Sequence, residues 1–187
     1  MVLSDKPSLA VVLDVGTTNI RVAVIDRHQT MLFTKQERIA TTSPRPGWYE
    51  QDPTAIVSCC KALIAAALEA QPAITNASPL GITNQRESVL AWDPTTRKAL
   101  TPLILWSDKR TKEYCDQLKA AGHESMIRQK TGLLLTPYSS ASKLHWILNQ
   151  PTVQASQHVA LGTLDSWLVF NLTGQHLTDY TNACRTM

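Results

Sequence analysis

Glycine is scarce in this chain, 7 among 187 residues, and phenylalanine is scarcer, with 2. That excludes collagen-like and Gly-rich low-complexity structure and makes each glycine informative. No stretch is densely basic. The net charge is +3 and the nearest approach to a basic run is Lys109-Arg110, so no nucleic-acid partner is expected. Long apolar runs are missing too. The longest, Ala62 to Leu68, falls well short of the roughly 18 residues of a membrane span, so no membrane insertion is expected. Near the start, Asp5 and Pro7 flank Lys6 and the apolar run Leu9 to Leu13 is short, which argues against a signal peptide. Cysteine is limited to Cys59, Cys60, Cys115 and Cys184, whose spacing fits neither a zinc site nor a C-x-x-C pair. Reduced thiols and a cytoplasmic location are the expectation. His28, His123, His145, His158 and His176 are scattered without metal spacing, and none is expected to be a ligand. What is present is globular composition, 43% hydrophobic and 18% charged, in a chain long enough to build a core.

The pattern along the chain is strands first, then strands alternating with helices. Leu9 to Leu13 reads as a strand buried on both faces, ending at Asp14. Val15 to Asn19 reads as a turn with Gly16 free to adopt positive φ. Ile20 to Ile25 and an amphipathic Met31 to Ala40 complete a three-strand meander. Pro44, Pro46 and Gly47 mark a loop over Thr41 to Gln51. Asp52-Pro53 is an N-cap followed by a first-turn proline, predicting a helix to about Ala70. Its Ala62 to Leu68 segment is apolar nearly all round, which implies packing between layers. Short strands follow at Leu80 to Thr83 and Ser88 to Trp92, with a turn at Asp93 to Thr96. Helices are predicted over Lys109 to Ala120, stopped by Gly122; over Tyr138 to Asn149, stopped by Pro151; and over Thr163 to Asn171, stopped by Gly174. The order implies an α/β fold with a mixed sheet.

Asp14-Val15-Gly16-Thr17-Thr18-Asn19 is the sharpest local motif. The chain has neither G-x-x-x-x-G-K-[ST] nor G-x-G-x-x-G, so a P-loop and a dinucleotide fingerprint are excluded. A glycine turn followed by two threonines presents N–H groups and hydroxyls to a phosphate. Asp14 at the strand end suits a hydrated Mg²⁺, and Arg21 is placed to reach the same anion. The alternative is an ordinary hairpin whose hydroxyls satisfy the turn. The same turn resembles the one that opens each domain of the actin-like ATPases, whose fold is ribonuclease H-like; that alone names a fold and a nucleotide, not a substrate.

Further motifs narrow the resemblance. They are Pro46-Gly47-Trp48-Tyr49-Glu50-Gln51-Asp52-Pro53, Gly81-Ile82-Thr83-Asn84-Gln85-Arg86-Glu87, Trp106 with Arg110-Thr111, and Thr131-Gly132-Leu133 with Pro137-Tyr138 and Lys143. Asp165-Ser166-Trp167-Leu168, then Thr178 to Ala183 with Arg185-Thr186-Met187, extend the series to the last residue. In order and spacing they resemble the N-terminal domain of the glycerol kinases, in the FGGY carbohydrate kinase family. Asn84-Gln85-Arg86-Glu87 is its most specific part, because xylulose and gluconate kinases differ there.

The resemblance implies an actin-like ATPase fold: a mixed central sheet beginning with the meander, flanked by helices, with residues 1–187 making up most of the N-terminal domain. It implies ATP and Mg as cofactors and glycerol as substrate, giving sn-glycerol 3-phosphate. Substrate roles carry onto Arg86, Glu87, Trp106 and Tyr138, phosphate roles onto Thr17, Thr18, Asn19 and Arg21, and a water-mediated Mg role onto Asp14. Without it, Arg86-Glu87 reads as a solvated pair and Trp106 and Tyr138 as core. The family's catalytic aspartate and its second domain are expected beyond position 187. A catalytically silent polyol-binding fragment and a kinase for another small polyol therefore stand beside glycerol kinase. Ser107 and Ser139, where the family commonly has Gln and Phe, border the substrate positions. A domain stopped at such a boundary leaves a sheet edge open to association, so a homo-oligomer is also an expected state.

Overall fold

The computed structural model describes residues 9–187; Lys6 and its neighbours Asp5 and Pro7 lie outside the described residues. The strands are β1 (Ala10–Val15), β2 (Asn19–Ile25), β3 (Met31–Arg38), β4 (Glu50–Gln51), β5 (Leu80–Asn84), β6 (Val89–Asp93), β7 (Lys98–Ala99), β8 (Leu103–Ile104) and β9 (Ala160–Thr163). The helices are α1 (Pro53–Ala70), α2 (Lys112–Ala120), α3 (His123–Thr131), α4 (Ser140–Leu148), α5 (Pro151–Gln154), α6 (Leu164–Thr173) and α7 (Tyr180–Ala183). They fall into two compact units, one made of the described residues up to Ile39 with Ala55–Asn84, the other of Ala40–Thr54 with Gln85–Met187.

The first unit holds the expected mixed sheet, in the order β3-β2-β1-β5, with the meander antiparallel and β5 parallel to β1. Register sets Val11 opposite Val24, Leu13 opposite Val22 and Val15 opposite Ile20, and all six are buried. β1 is not buried on both faces as expected. Burial alternates along it, because only one face meets the core; Asp14, on the other face, is exposed. β3 is not amphipathic either: only Phe33 is even half-buried along this edge strand.

Helix α1 begins where Asp52-Pro53 predicts, with Asp52 Oδ1 accepting from the Thr54 N–H at 2.8 Å. At 18 residues and mean hydropathy 1.5 it is long and apolar enough to cross a membrane by length and composition. One stripe is buried, made of Ile56, Cys60, Leu63 and Ala67 with Val57 beside it, while Leu68 is exposed. The expectation of packing between layers therefore fails. Alanines around the apolar run tolerate either environment, so only the stripe at helical spacing is committed to a core.

The second unit carries an entirely antiparallel sheet that the strand–helix alternation does not anticipate: β4-β8-β6-β7, with β9 on β6. Here β6 is the strand buried on both faces, Val89 to Trp92 being inaccessible. Val89 and Ala91 pack with Ile104, Ile147 and Val153, joined by Leu144 and Trp146 of α4. On the other face Trp92 meets Trp167 and Phe170 of α6, at 5.5 and 5.9 Å between ring centroids. Helices α2 and α6 end at left-handed Gly122 and Gly174, as expected, with α2 starting at Lys112 instead of Lys109. α3, largely polar, has no counterpart in the sequence reading.

Candidate functional sites

The turn after β1 closes as a hairpin, with the Gly16 N–H donating to the Asn19 carbonyl at 3.0 Å. Gly16 does not adopt positive φ, contrary to expectation. Its requirement is space: a Cβ there would lie 3.1 Å from the Asn19 carbonyl oxygen. Asn19 belongs to β2, Thr17 is half-buried, and Thr18 is exposed, its carbonyl accepting from the Ile39 N–H. Asp14 and Arg21 are cross-strand partners, so their side chains share one face of the sheet. The Arg21 guanidinium is engaged by Gln36 Oε1 at 3.1 and 3.3 Å. Asp14, Thr17, Thr18, Asn19 and Arg21 thus gather at one end of the β1–β2 hairpin.

In the second unit, the structure sets the four predicted substrate residues in contrasting environments. Trp106 and Tyr138 are 37% and 41% exposed, so the core reading of these aromatics does not hold. Their rings meet edge to face, with centroids 5.7 Å apart. A groove of about 520 Å³ opens beside them, lined also by Asp108, Lys109 and Thr136. Arg86 is exposed while Glu87 is buried, so the two do not form a solvated pair. Glu87 takes φ +63°, the left-handed region disfavoured for a side chain, which marks a backbone held against its preference.

Buried polar side chains tie these pieces together. Gln51 Nε2 donates to Thr41 Oγ1 at 3.0 Å, Gln85 Nε2 donates to Gln51 Oε1 at 2.8 Å, and Ser88 Oγ donates to Gln85 Oε1 at 3.1 Å. The Trp106 N–H in turn donates to Ser88 Oγ at 3.0 Å. The relay fixes the segment around Arg86-Glu87 to the backbone that carries Trp106. Beyond Trp106, Arg110 lies with its side chain buried against the perpendicular rings of Trp48 and Trp146, 4.0 and 4.6 Å from their centroids. It donates to both oxygens of Asp108 at 3.0 and 2.9 Å and to Glu50 at 2.7 Å. Asp108 also accepts from the Tyr49 N–H at 2.7 Å. The resemblance to Pro46–Pro53 and Arg110 thus has a physical meaning: these residues clamp one loop to another through charge and aromatic faces.

Two residues quoted in the motifs without a role prove central. The buried Lys143 donates from Nζ to the carbonyls of Pro137, Tyr138 and Ser139 at 2.7, 2.7 and 3.0 Å. Burial pulls its ammonium down to about 8, against the opposing charges of Asp108 and Glu87. Arg185 donates from Nε to Glu87 Oε1 at 2.7 Å, and this bond pushes its guanidinium further above the ordinary value. Lys143 carried a signal, a lone cation within an apolar helix sequence; Arg185 meets its partner across 98 positions, and no local pattern reveals that.

Asp165 stands in the first turn of α6. It is buried and accepts from the hydroxyls of Thr163 and Thr178, so it fastens the start of α6 to the segment after it.

Comparison with known proteins agrees with the motifs. Residues 9–187 match the model of the FGGY family of carbohydrate kinases, N-terminal domain. The chain is 42% identical over 182 residues to a glycerol kinase of Xanthomonas campestris, covering 94% of this chain and 36% of that protein. It is 44% identical over 192 residues to a glycerol kinase of Paraburkholderia xenovorans, covering 99% and 38%. The crystal structure of Plasmodium falciparum glycerol kinase with ADP superposes with a TM-score of 0.86 at 32% identity, over 95% of this chain and 37% of that one. The chain thus spans little more than a third of the length of the curated relatives it matches. With its mixed sheet, its hairpin turn and a family match running from residue 9 to residue 187, the chain belongs to the FGGY family of carbohydrate kinases.

Proposed function

We propose that the chain is the polyol- and phosphate-binding part of a glycerol kinase, which transfers the γ-phosphoryl group of ATP to glycerol and forms sn-glycerol 3-phosphate. One observation carries the substrate reading. An exposed, donor-only guanidinium, Arg86, adjoins a buried carboxylate, Glu87, with the Trp106–Tyr138 wall in the same unit. A hydroxyl gives and accepts a hydrogen bond, so such a donor and acceptor together suit a polyol. The aromatic wall suits its carbon chain. A site built on such groups discriminates against analogues lacking a hydroxyl.

The hairpin end is proposed to hold phosphate through Thr17, Thr18, Asn19 and Arg21. Asp14 is proposed to hold Mg²⁺ through water. Its carboxylate is exposed, and among the described residues there is no group of three metal-ligating side chains. That suits a hydrated ion with one or two carboxylates, not a protein cage. When bound, Mg²⁺ neutralises phosphate charge; the chain's own residues orient the phosphate and the polyol. By themselves the 187 residues are proposed to bind polyol without turnover, since the base implied by the family resemblance is not among them. A cytoplasmic setting fits cysteines that are all free. The exposed edge of β3 is the proposed route to a homo-oligomer, which sedimentation of the chain tests.

The test is ATP-dependent phosphorylation of glycerol, erythritol and xylulose by the chain and by a fusion to the remaining length of the Xanthomonas campestris relative. The fusion is expected to prefer glycerol, and Arg86→Ala to lower its kcat/KM for glycerol most. Equal turnover of xylulose or erythritol would end the glycerol reading, and glycerol phosphate formation by the chain alone would end the no-turnover reading.

A further inference from the structure

We infer that Arg185 is a positioning residue of the proposed polyol site: it fixes the Glu87 carboxylate as a hydroxyl acceptor while its guanidinium flanks Tyr138. This rests on the polyol reading above. The Glu87 side chain is 5% exposed, and Arg185 Nε meets its Oε1 at 2.7 Å. The same guanidinium carbon lies 5.8 Å from the centroid of the Tyr138 ring. One side chain therefore touches two of the four proposed substrate residues. Lys143, a further nearby cation, spends its donors on three carbonyls.

Arg185 is itself anchored. Its N–H donates to the Asn182 carbonyl at 3.0 Å, and the next carbonyl, of Thr186, accepts from the Ala141 N–H at 2.8 Å. Asn182 is held in turn by Asp179, which accepts from its N–H at 2.9 Å and caps α7. Ser140 Oγ donates to the Glu87 carbonyl at 3.3 Å, so the start of α4 also touches Glu87. The pair thus joins three segments distant in sequence, those of Glu87, the start of α4 and the end of the chain around α7.

A buried carboxylate without a partner is strongly disfavoured and tends to turn outward. A charge-assisted bond to one oxygen holds it in place and leaves the carboxylate with acceptor capacity for a ligand hydroxyl, beside Arg86, which only donates. A lysine at 185 would keep the charge but not the planar group that lies between a carboxylate and a ring.

Glycerol binding to the 187-residue chain, followed by titration calorimetry, tests this. Arg185→Ala is expected to weaken glycerol binding about tenfold or more, Arg185→Lys to recover part of it, and added methylguanidinium to recover part of it in the alanine variant. In a Glu87→Gln background, Arg185→Ala is expected to cost less than about threefold, because the two residues act as one unit. Circular dichroism and urea midpoints establish that each variant is folded; should Arg185→Ala not fold, Arg185→Lys and Arg185→Gln carry the comparison. Unchanged glycerol affinity in the folded Arg185 variants, or independent effects of the Arg185 and Glu87 substitutions, would overturn the assignment while leaving the polyol reading intact. Absence of glycerol binding by the unaltered chain would overturn the polyol reading, and this assignment with it.

Discussion

Replacing Lys143 with methionine separates two opposed effects at the loop that presents Tyr138. With its ammonium held at about 8 instead of the ordinary 10.5, the charged form is about 3 kcal/mol less favourable in the fold than in water. Against this stand three charge-assisted bonds to the carbonyls of Pro137, Tyr138 and Ser139. At about 1–1.5 kcal/mol each, they contribute about 3–5 kcal/mol. Methionine fills similar volume without charge, so near pH 7 the variant is expected to be at most about 2 kcal/mol less stable. The difference should then grow with pH. The folded-state pKa lies below the unfolded one, so between pH 8 and 10.5 the unfolded chain binds more protons. Through this group stability rises with pH across that window, and it is lost as pH falls through about 8. The gap between chain and variant should therefore widen by about 3 kcal/mol from pH 7 to pH 10.5. Urea unfolding followed by far-ultraviolet circular dichroism at four or so pH values measures it, and groups common to both proteins cancel. A gap that stays constant or narrows over this range would refute the burial argument for Lys143.

Other consequences are as specific. Asp108→Asn leaves Arg110 buried against two tryptophans with half its carboxylate partners weakened, and should cost about 3–5 kcal/mol in urea unfolding. Gly162→Ala places a Cβ 2.9 Å from the Trp92 ring and 2.9 Å from Ser166 Cβ; it should cost about 1–3 kcal/mol and perturb tryptophan fluorescence. Disulfide-exchange labelling at pH 8 should modify exposed Cys184 first. Cys60, pushed up to about 12 mainly by burial, and fully buried Cys115 should react only on unfolding.

Where structure is written in short-range pattern, the sequence reading is close to the fold. The β1–β2–β3 meander follows from apolar runs divided by turn residues. The start of α1 follows from Asp52-Pro53, and the ends of α2 and α6 from Gly122 and Gly174. The antiparallel sheet of the second unit is not legible. β7 and β8 are two residues long, and β6 finds β9 some seventy positions away, through Val89 and Thr163. Pairing of that kind is settled by the burial of β6 on both faces, a tertiary property. The candidate site divides in the same way. Arg86, Glu87, Trp106 and Tyr138 are visible as residue types within motifs. The Gln51–Gln85 and Arg185–Glu87 bonds are long-range contacts that exist only once the second unit has folded, whereas the Lys143 grip on three carbonyls is local, four to six positions apart, and is illegible because it depends on the turn of the backbone before α4.

Arg86, Glu87, Trp106 and Tyr138 are proposed to form a site for glycerol. The most direct test is a ¹H–¹⁵N correlation spectrum of the chain titrated with glycerol, and separately with xylulose. Saturable shifts are expected for the Arg86 and Glu87 amides, the Trp106 indole and the Tyr138 amide with glycerol, and much weaker ones with xylulose. Shifts confined to other residues, or equal shifts with both ligands, would contradict the proposal.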